Sequence, residues 1–173
     1  MKLEDARIYK KEIKTIYLSS FPREERAPLW FLFYKAKRDT IHFLAVVEEE
    51  KCIGLMYLVQ VQDVMTLMYL ALHDKVHGKG YGSALLKEVQ TRFPDKKIFL
   101  NIEVVDKEAI NYTQRYKRKA FYLRNQFKEL DYQVCEFGVT YEMLSYGGYV
   151  SKDEYHKVMK ALFGPFLHRI MSI

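Results

Sequence analysis

Apolar residues change their period along the chain, and each change marks an element. Over 4–20, Ile8, Ile13, Ile16 and Tyr17 recur at roughly helical spacing until Ser19, Ser20 and Pro22 end the pattern. Pro28, favoured in a first helical turn, opens a second helix running to about Arg38. Three β-rich segments follow: "TIHFLAVVEE" (40–49), "KCIGLMYLVQVQ" (51–62) and "VMTLMYLAL" (64–72). Their links, at "EEEK" and near Gln62-Asp63, are too short for crossover helices, so the strands form an antiparallel meander. Tyr81, Leu85, Val89 and Phe93 then stripe a helix that ends at Pro94, and "KIFLNIEVV" (97–105) is the next strand. A helix of that length between two strands implies a right-handed parallel crossover. A longer helix, from about Lys107 to Asn125, is expected to bury Ala109, Tyr112, Tyr116, Ala120 and Leu123. Strands at 127–135 and 137–145 precede Gly147-Gly148, which open a terminal amphipathic helix (151–163) broken at Gly164-Pro165. The class is α+β: a mixed, mostly antiparallel sheet with a single βαβ crossover, flanked by helices.

Composition narrows the picture. At 173 residues, 49% hydrophobic and 29% charged, the chain suits one folded domain with a substantial core and not a disordered segment. No run of 18 apolar residues occurs, and the start is charged from the second residue, so neither a membrane span nor a secretory leader is expected. Cys52 and Cys135 stand far apart in no metal or CxxC pattern and read as reduced thiols of a cytoplasmic protein. No metal site is expected. The net charge of +6 suits an anionic partner, for which a phosphorylated cofactor suffices without nucleic acid. The tyrosines are spread along the whole chain, which favours packing over a base-stacking surface.

The chemistry concentrates in "YLALHDKVHGKGYGSALL" (69–86), where Gly78, Gly80 and Gly82 take alternate positions between a strand and a helix. Such a loop is an anion site: amides at the helix start point outward and glycine admits a phosphate to the backbone. A Walker loop would need Ser or Thr after Lys79, where Gly80 stands. A dinucleotide fingerprint would need glycine where Ser83 stands, and would follow parallel strands. Glu103 does lie at a distance that mimics its ribose-binding acid. A plain tight turn would need one glycine, not three.

The stretch resembles the acyl-CoA-binding motif of the GNAT-type N-acetyltransferase superfamily, Arg/Gln-x-x-Gly-x-Gly/Ala. His77 takes the Arg/Gln position, and Gly80 and Gly82 the two small ones. The element order over 40–145 matches that fold, although no strand is expected ahead of the first helix. "KAFYLRNQF" (119–127) is similar to the family segment Phe-Tyr-x-x-x-Gly-Phe, with Tyr122 on the tyrosine, Phe127 on the phenylalanine and Gln126 on the glycine. Arg115 stands at the usual Asn position seven residues earlier. The resemblance implies a domain over 1–146, with 147–173 a helical extension packed on it as a dimer contact, a lid or simple packing.

It also implies acetyl-CoA as cosubstrate and a primary amine as acceptor. Pantetheine would pair with the fourth strand at Leu70 and Leu72. The pyrophosphate would rest on the amides of His77, Gly78, Lys79, Gly80, Tyr81, Gly82 and Ser83, with Arg115 as a further phosphate contact. An alkylammonium, with a pKa of about 10, must lose a proton before it attacks the thioester. Glu103, which shares a strand face with Asn101 and Val105, is the expected base, with His73 and Asp74 as weaker alternatives. Tyr122 is the expected acid toward the departing thiolate; its helical angle puts it off the centre of the apolar stripe, at the rim. Glu24 and Glu25, in the loop between the first two helices, would attract a cationic acceptor. Two other functions stay open: a non-catalytic acyl-CoA-binding module of the same fold, and a dinucleotide-binding protein.

Overall fold

The computed structural model describes residues 1–136 and 138–164, with Glu24 described by its backbone alone. Phe137, at the expected start of the last strand, and Pro165, at the expected end of the last helix, lie outside the described residues. The strands are β1 (Lys2–Asp5), β2 (Ile41–Glu48), β3 (Lys51–Val61), β4 (Val64–Leu72), β5 (Lys97–Glu103), β6 (Lys128–Glu136) and β7 (Val139–Tyr146). The helices are α1 (Lys10–Ser20), α2 (Leu29–Lys35), α3 (Tyr81–Arg92), α4 (Tyr112–Arg124) and α5 (Lys152–Phe163). Hydrogen bonding orders the strands β1-β2-β3-β4-β5-β7-β6. The expected meander and crossover are both present: β2–β3, β5–β7 and β6–β7 are antiparallel, and β4–β5 is parallel. The β4–β5 pairing runs from Val64↔Lys97 to Thr66↔Phe99.

The chain divides into two compact units. The first comprises Met1–Val59 and Leu67–Leu85, the second Gln60–Thr66 and the chain from Leu86 onward. In the first, Ile13, Ile16, Tyr17 and Leu32 are buried from the helices, and Ala45, Leu55, Met56, Tyr57 and Leu58 from the strands. Gly54 on β3 is required by its neighbours, because an added Cβ would lie 2.6 Å from the Ala71 carbonyl and 2.7 Å from Leu72 Cδ2. In the second, Ile98, Leu100, Ile102, Met143, Leu144, Val158 and Leu162 are buried. Here α5 is capped by a reciprocal Ser151–Glu154 box, and Lys97 pairs with Glu154. No described helix is long and apolar enough to cross a membrane.

Two expectations are corrected. A strand does precede the first helix: β1 pairs antiparallel with β2 from Lys2↔Val47 to Asp5↔Leu44. Four residues reading KLED carry no alternating apolar signal, so backbone pairing, with the amino terminus on Glu48, is what holds this edge. The second correction concerns α4. It begins at Tyr112 and not near Lys107, because Asp106 holds a turn there by accepting from Glu108 N (3.0 Å) and Ala109 N (3.2 Å). Ala109 is thus outside the helix, and Tyr116 (57% exposed) and Leu123 (39%) face outward. The less exposed face carries Tyr112, Arg115, Lys119 and Tyr122. Its cations are neutralised by strand acids: Arg115 by Glu103, and Lys119 by Glu142 and Glu129. Ion pairing, not hydrophobicity, orients this helix, and it puts Tyr122 on the inner face instead of beside it.

The end of α4 is a Schellman motif. Gln126 N donates to the Leu123 carbonyl (3.1 Å), Phe127 N to the Tyr122 carbonyl (3.2 Å), and Gln126 has φ +69°. The accompanying apolar contact is Tyr122 against Phe127, with ring centroids 5.6 Å apart. A non-glycine residue in this conformation costs about 1 kcal/mol, offset in glycine by the greater freedom of its unfolded chain. Gln126→Gly is therefore expected to raise the melting temperature by roughly 1–3 °C. A lower melting temperature would mean that the Gln126 side chain contributes contacts exceeding its strain.

Candidate functional site

The glycine loop forms at the end of β4 from local causes. Tyr69 and Ala71 are buried, and alternation leaves Leu70 and Leu72 half-buried. A single turn, Asp74–Val76, follows, capped by His73, whose ring accepts from Lys75 N at 3.3 Å. Gly78 and Gly80 take φ +75° and +82°. At neither would an added Cβ meet any atom within 4 Å, so sterics inside the fold do not demand glycine there. The backbone angle does, and so would any group resting on the loop. Ala84 N donates to the Gly80 carbonyl (3.0 Å) as the first bond of α3, which leaves Tyr81, Gly82 and Ser83 as first-turn amides without intrahelical acceptors. His77 is exposed, and its Nε2 donates to the Leu72 carbonyl at 2.9 Å. The residue that departs from the motif thus ties the loop back to its own strand.

The loop between α1 and α2 is fastened to β4. The Tyr69 hydroxyl donates to the Glu25 carbonyl (2.9 Å) and accepts from Ala27 N (3.0 Å), while Tyr17 donates to the Ala27 carbonyl (3.0 Å). Tyr17, Phe21 and Tyr69 pack ring on ring at 4.9–5.4 Å. This buried polar anchor went unread in the sequence, where Tyr69 passes as one more strand aromatic.

In the second unit, Tyr122 is half-buried between Phe121 (5.1 Å) and Phe127 (5.6 Å). Among the described residues no protein group hydrogen-bonds its hydroxyl. Burial pushes its pKa up to about 12, with Arg118 opposing, so the phenol keeps its proton at neutral pH. Glu103 is differently placed. Arg115 meets one carboxylate oxygen at 2.7 Å, Arg118 approaches the other at 3.8 Å, and Asn111 donates at 3.4 Å. Arg115 also donates to Asn111 Oδ1 (2.7 Å) and to the Val104 carbonyl (2.9 Å). The structure therefore joins Glu103 and Arg115, expected in separate roles, into one ion pair. In that pair the two side chains are each other's partners, and Arg115 is further occupied by Asn111 and the Val104 carbonyl. Asp74 is almost fully exposed and within 3.8 Å of His77.

A family model for the acetyltransferase (GNAT) family matches residues 10–117. The chain belongs to the GNAT acetyltransferase family. No curated protein matches the sequence. Among solved structures, a GNAT-family protein from Bacteroides thetaiotaomicron aligns at TM-score 0.79 and 18% identity, over 95% of this chain and 99% of its own. An aminoglycoside 6'-N-acetyltransferase in complex with coenzyme A aligns at 0.65 and 11%, over 84% and 96% of the two chains. The PaiA N-acetyltransferase of Thermoplasma acidophilum, also in complex with coenzyme A, aligns at 0.56 and 18%, over 84% and 100%. At these identities the likeness is one of fold. It agrees with the GNAT order of strands and with the glycine loop lying between β4 and α3.

Proposed function

We propose that this GNAT protein transfers acetyl from acetyl-CoA to a primary amine by direct attack within a ternary complex. The loop at 77–83 carries the reading. Two left-handed glycines with open space above them lead into three outward first-turn amides, which is what a pyrophosphate needs. Leu70 and Leu72 supply the strand edge for pantetheine, and the Leu72 carbonyl, with two lone pairs, can serve both His77 and an amide of the arm. Lys79 is exposed beside the glycines and adds positive charge for the phosphates. When the thioester is attacked, a C–N bond forms and the C–S bond breaks, and Tyr122 gives its phenolic proton to the thiolate. The tyrosinate regains that proton from the nitrogen as the tetrahedral intermediate collapses. Glu25, in the loop anchored by Tyr69, would attract a cationic acceptor, and the free thiols Cys52 and Cys135 suit the cytoplasm.

Titration calorimetry with acetyl-CoA and NAD side by side, followed by thiol release over an amine panel, tests this reading. Saturable acetyl-CoA binding with amine-dependent release of free thiol is expected. Binding of NAD without acetyl-CoA would overturn it, and acetyl-CoA binding with no release by any amine would favour a non-catalytic module.

A further inference from the structure

The chain leaves β4 at Leu72 and turns before it reaches the glycines, and that turn is fastened at successive points. His73 N donates to the Ile53 carbonyl of β3 (2.8 Å), and the His73 ring accepts from Lys75 N (3.3 Å). Val76 N donates to the His73 carbonyl (2.9 Å) and His77 N to the Asp74 carbonyl (3.1 Å). The last fastening is made by a side chain: His77 Nε2 lies 2.9 Å from the Leu72 carbonyl. A carbonyl only accepts, so the ring carries its proton on Nε2. Asp74, 3.8 Å from Nδ1, is almost fully exposed, so the Leu72 carbonyl is the contact that fixes the ring. Immediately beyond His77 come Gly78 and Gly80, both left-handed and both with open space where a Cβ would stand. Glycines restrain the backbone little, so the place of the loop relative to β4 is set by the residue ahead of them.

The same bond joins two places with separate tasks. Leu72 ends the strand edge offered to pantetheine, and His77 begins the run of amides offered to the pyrophosphate. Acetyl-CoA carries both groups on one covalent chain. It gains from the second contact only where edge and loop stand at the spacing that this chain spans. We propose that the His77 side chain is a positioning residue that holds this spacing, pre-organising the loop on the end of β4 for a ligand that spans both. This rests on the acetyl-CoA reading above. The ring acts through the Leu72 carbonyl, whose second lone pair stays open to the arm. Because the His77 side chain is exposed, removing it opens no cavity in the core.

Three variants and two ligands test the assignment. His77→Ala removes the bond. In His77→Gln the amide nitrogen stands as many bonds from Cα as Nε2 does and reaches the carbonyl, whereas in His77→Asn it falls one bond short. Acetyl-CoA spans edge and loop, while 3'-phospho-ADP, its nucleotide half, occupies the loop alone. Calorimetric titration should show acetyl-CoA binding weakened roughly three- to tenfold in His77→Ala and His77→Asn, the loss of one net hydrogen bond. In His77→Gln it should stay within about twofold of the wild type. Binding of 3'-phospho-ADP, followed by amide shifts in NMR titration, should change by less than about twofold in all three. Equal losses for the two ligands would mean that His77 merely keeps the loop folded, and would overturn the assignment. So would full acetyl-CoA affinity in His77→Ala, or a loss in His77→Gln as large as in His77→Ala. Each of these results leaves acetyl transfer intact. Failure of the wild-type protein to bind acetyl-CoA would instead remove the acetyl-CoA reading, and this inference with it.

Discussion

Tyr122→Phe is expected to lower kcat for amine acetylation by roughly 10²–10³-fold while changing acetyl-CoA affinity by less than about twofold. The substitution removes one hydroxyl that no described protein group hydrogen-bonds, so no buried partner is orphaned. The ring remains, and with it the contact to Phe127 that closes the Schellman motif. Stability should therefore hold, and the loss should fall on kcat and kcat/KM together, as for an interaction made only in the transition state. A pH profile adds a second check. Because burial pushes the phenol up to about 12, Tyr122 stays protonated throughout the working range. No descending limb assignable to it should appear below about pH 11. Unchanged kcat in Tyr122→Phe would remove the tyrosine from the mechanism, and an intact protein that loses acetyl-CoA binding would recast it as a binding residue.

Tyr122 also shows which part of such a site the sequence carries. Its neighbourhood is local, Phe121 to Phe127 closing the end of one helix, and "FYLRNQF" reveals it even with Gln126 in the left-handed place that usually holds glycine. The glycine loop is legible for the same reason: a strand, alternate glycines and an apolar helical stripe all lie within about one turn of each other in sequence. The meander of β2, β3 and β4 could be read because its links are too short for anything else. What stayed hidden depends on pairs distant in sequence. The inner face of α4 is set by Glu103, Glu129 and Glu142, which hydrophobic periodicity ignores, so Tyr116 and Leu123 are expected to be buried and are not. The strand pattern that offers Glu103 as a base does not show that Arg115 and Arg118 reach it, since they do so only in three dimensions. Strand β1 was invisible because four residues are too few for a period.

Gly80→Ala should weaken acetyl-CoA binding by about 10²-fold or more. At φ +82° a Cβ is strained by roughly 1–2 kcal/mol, and the loop relieves this by turning its peptides toward ordinary angles. Turning them redirects the amides at the start of α3. Each charge-assisted bond from an amide to phosphate contributes about 1.5–3 kcal/mol, so losing one or two gives a loss of that order. The added methyl would also stand where a phosphate must approach, since nothing in the protein lies within 4 Å of it. Gly138, in the turn after β6, is the matched control: its φ is +78° and its added Cβ likewise meets nothing within 4 Å. Gly138→Ala should lower the melting temperature by a similar few degrees yet leave acetyl-CoA affinity unchanged. Calorimetric titration of both variants separates the two effects. Equal losses of affinity would trace the weakness to general destabilisation, and full affinity in Gly80→Ala would move the pyrophosphate away from 77–83.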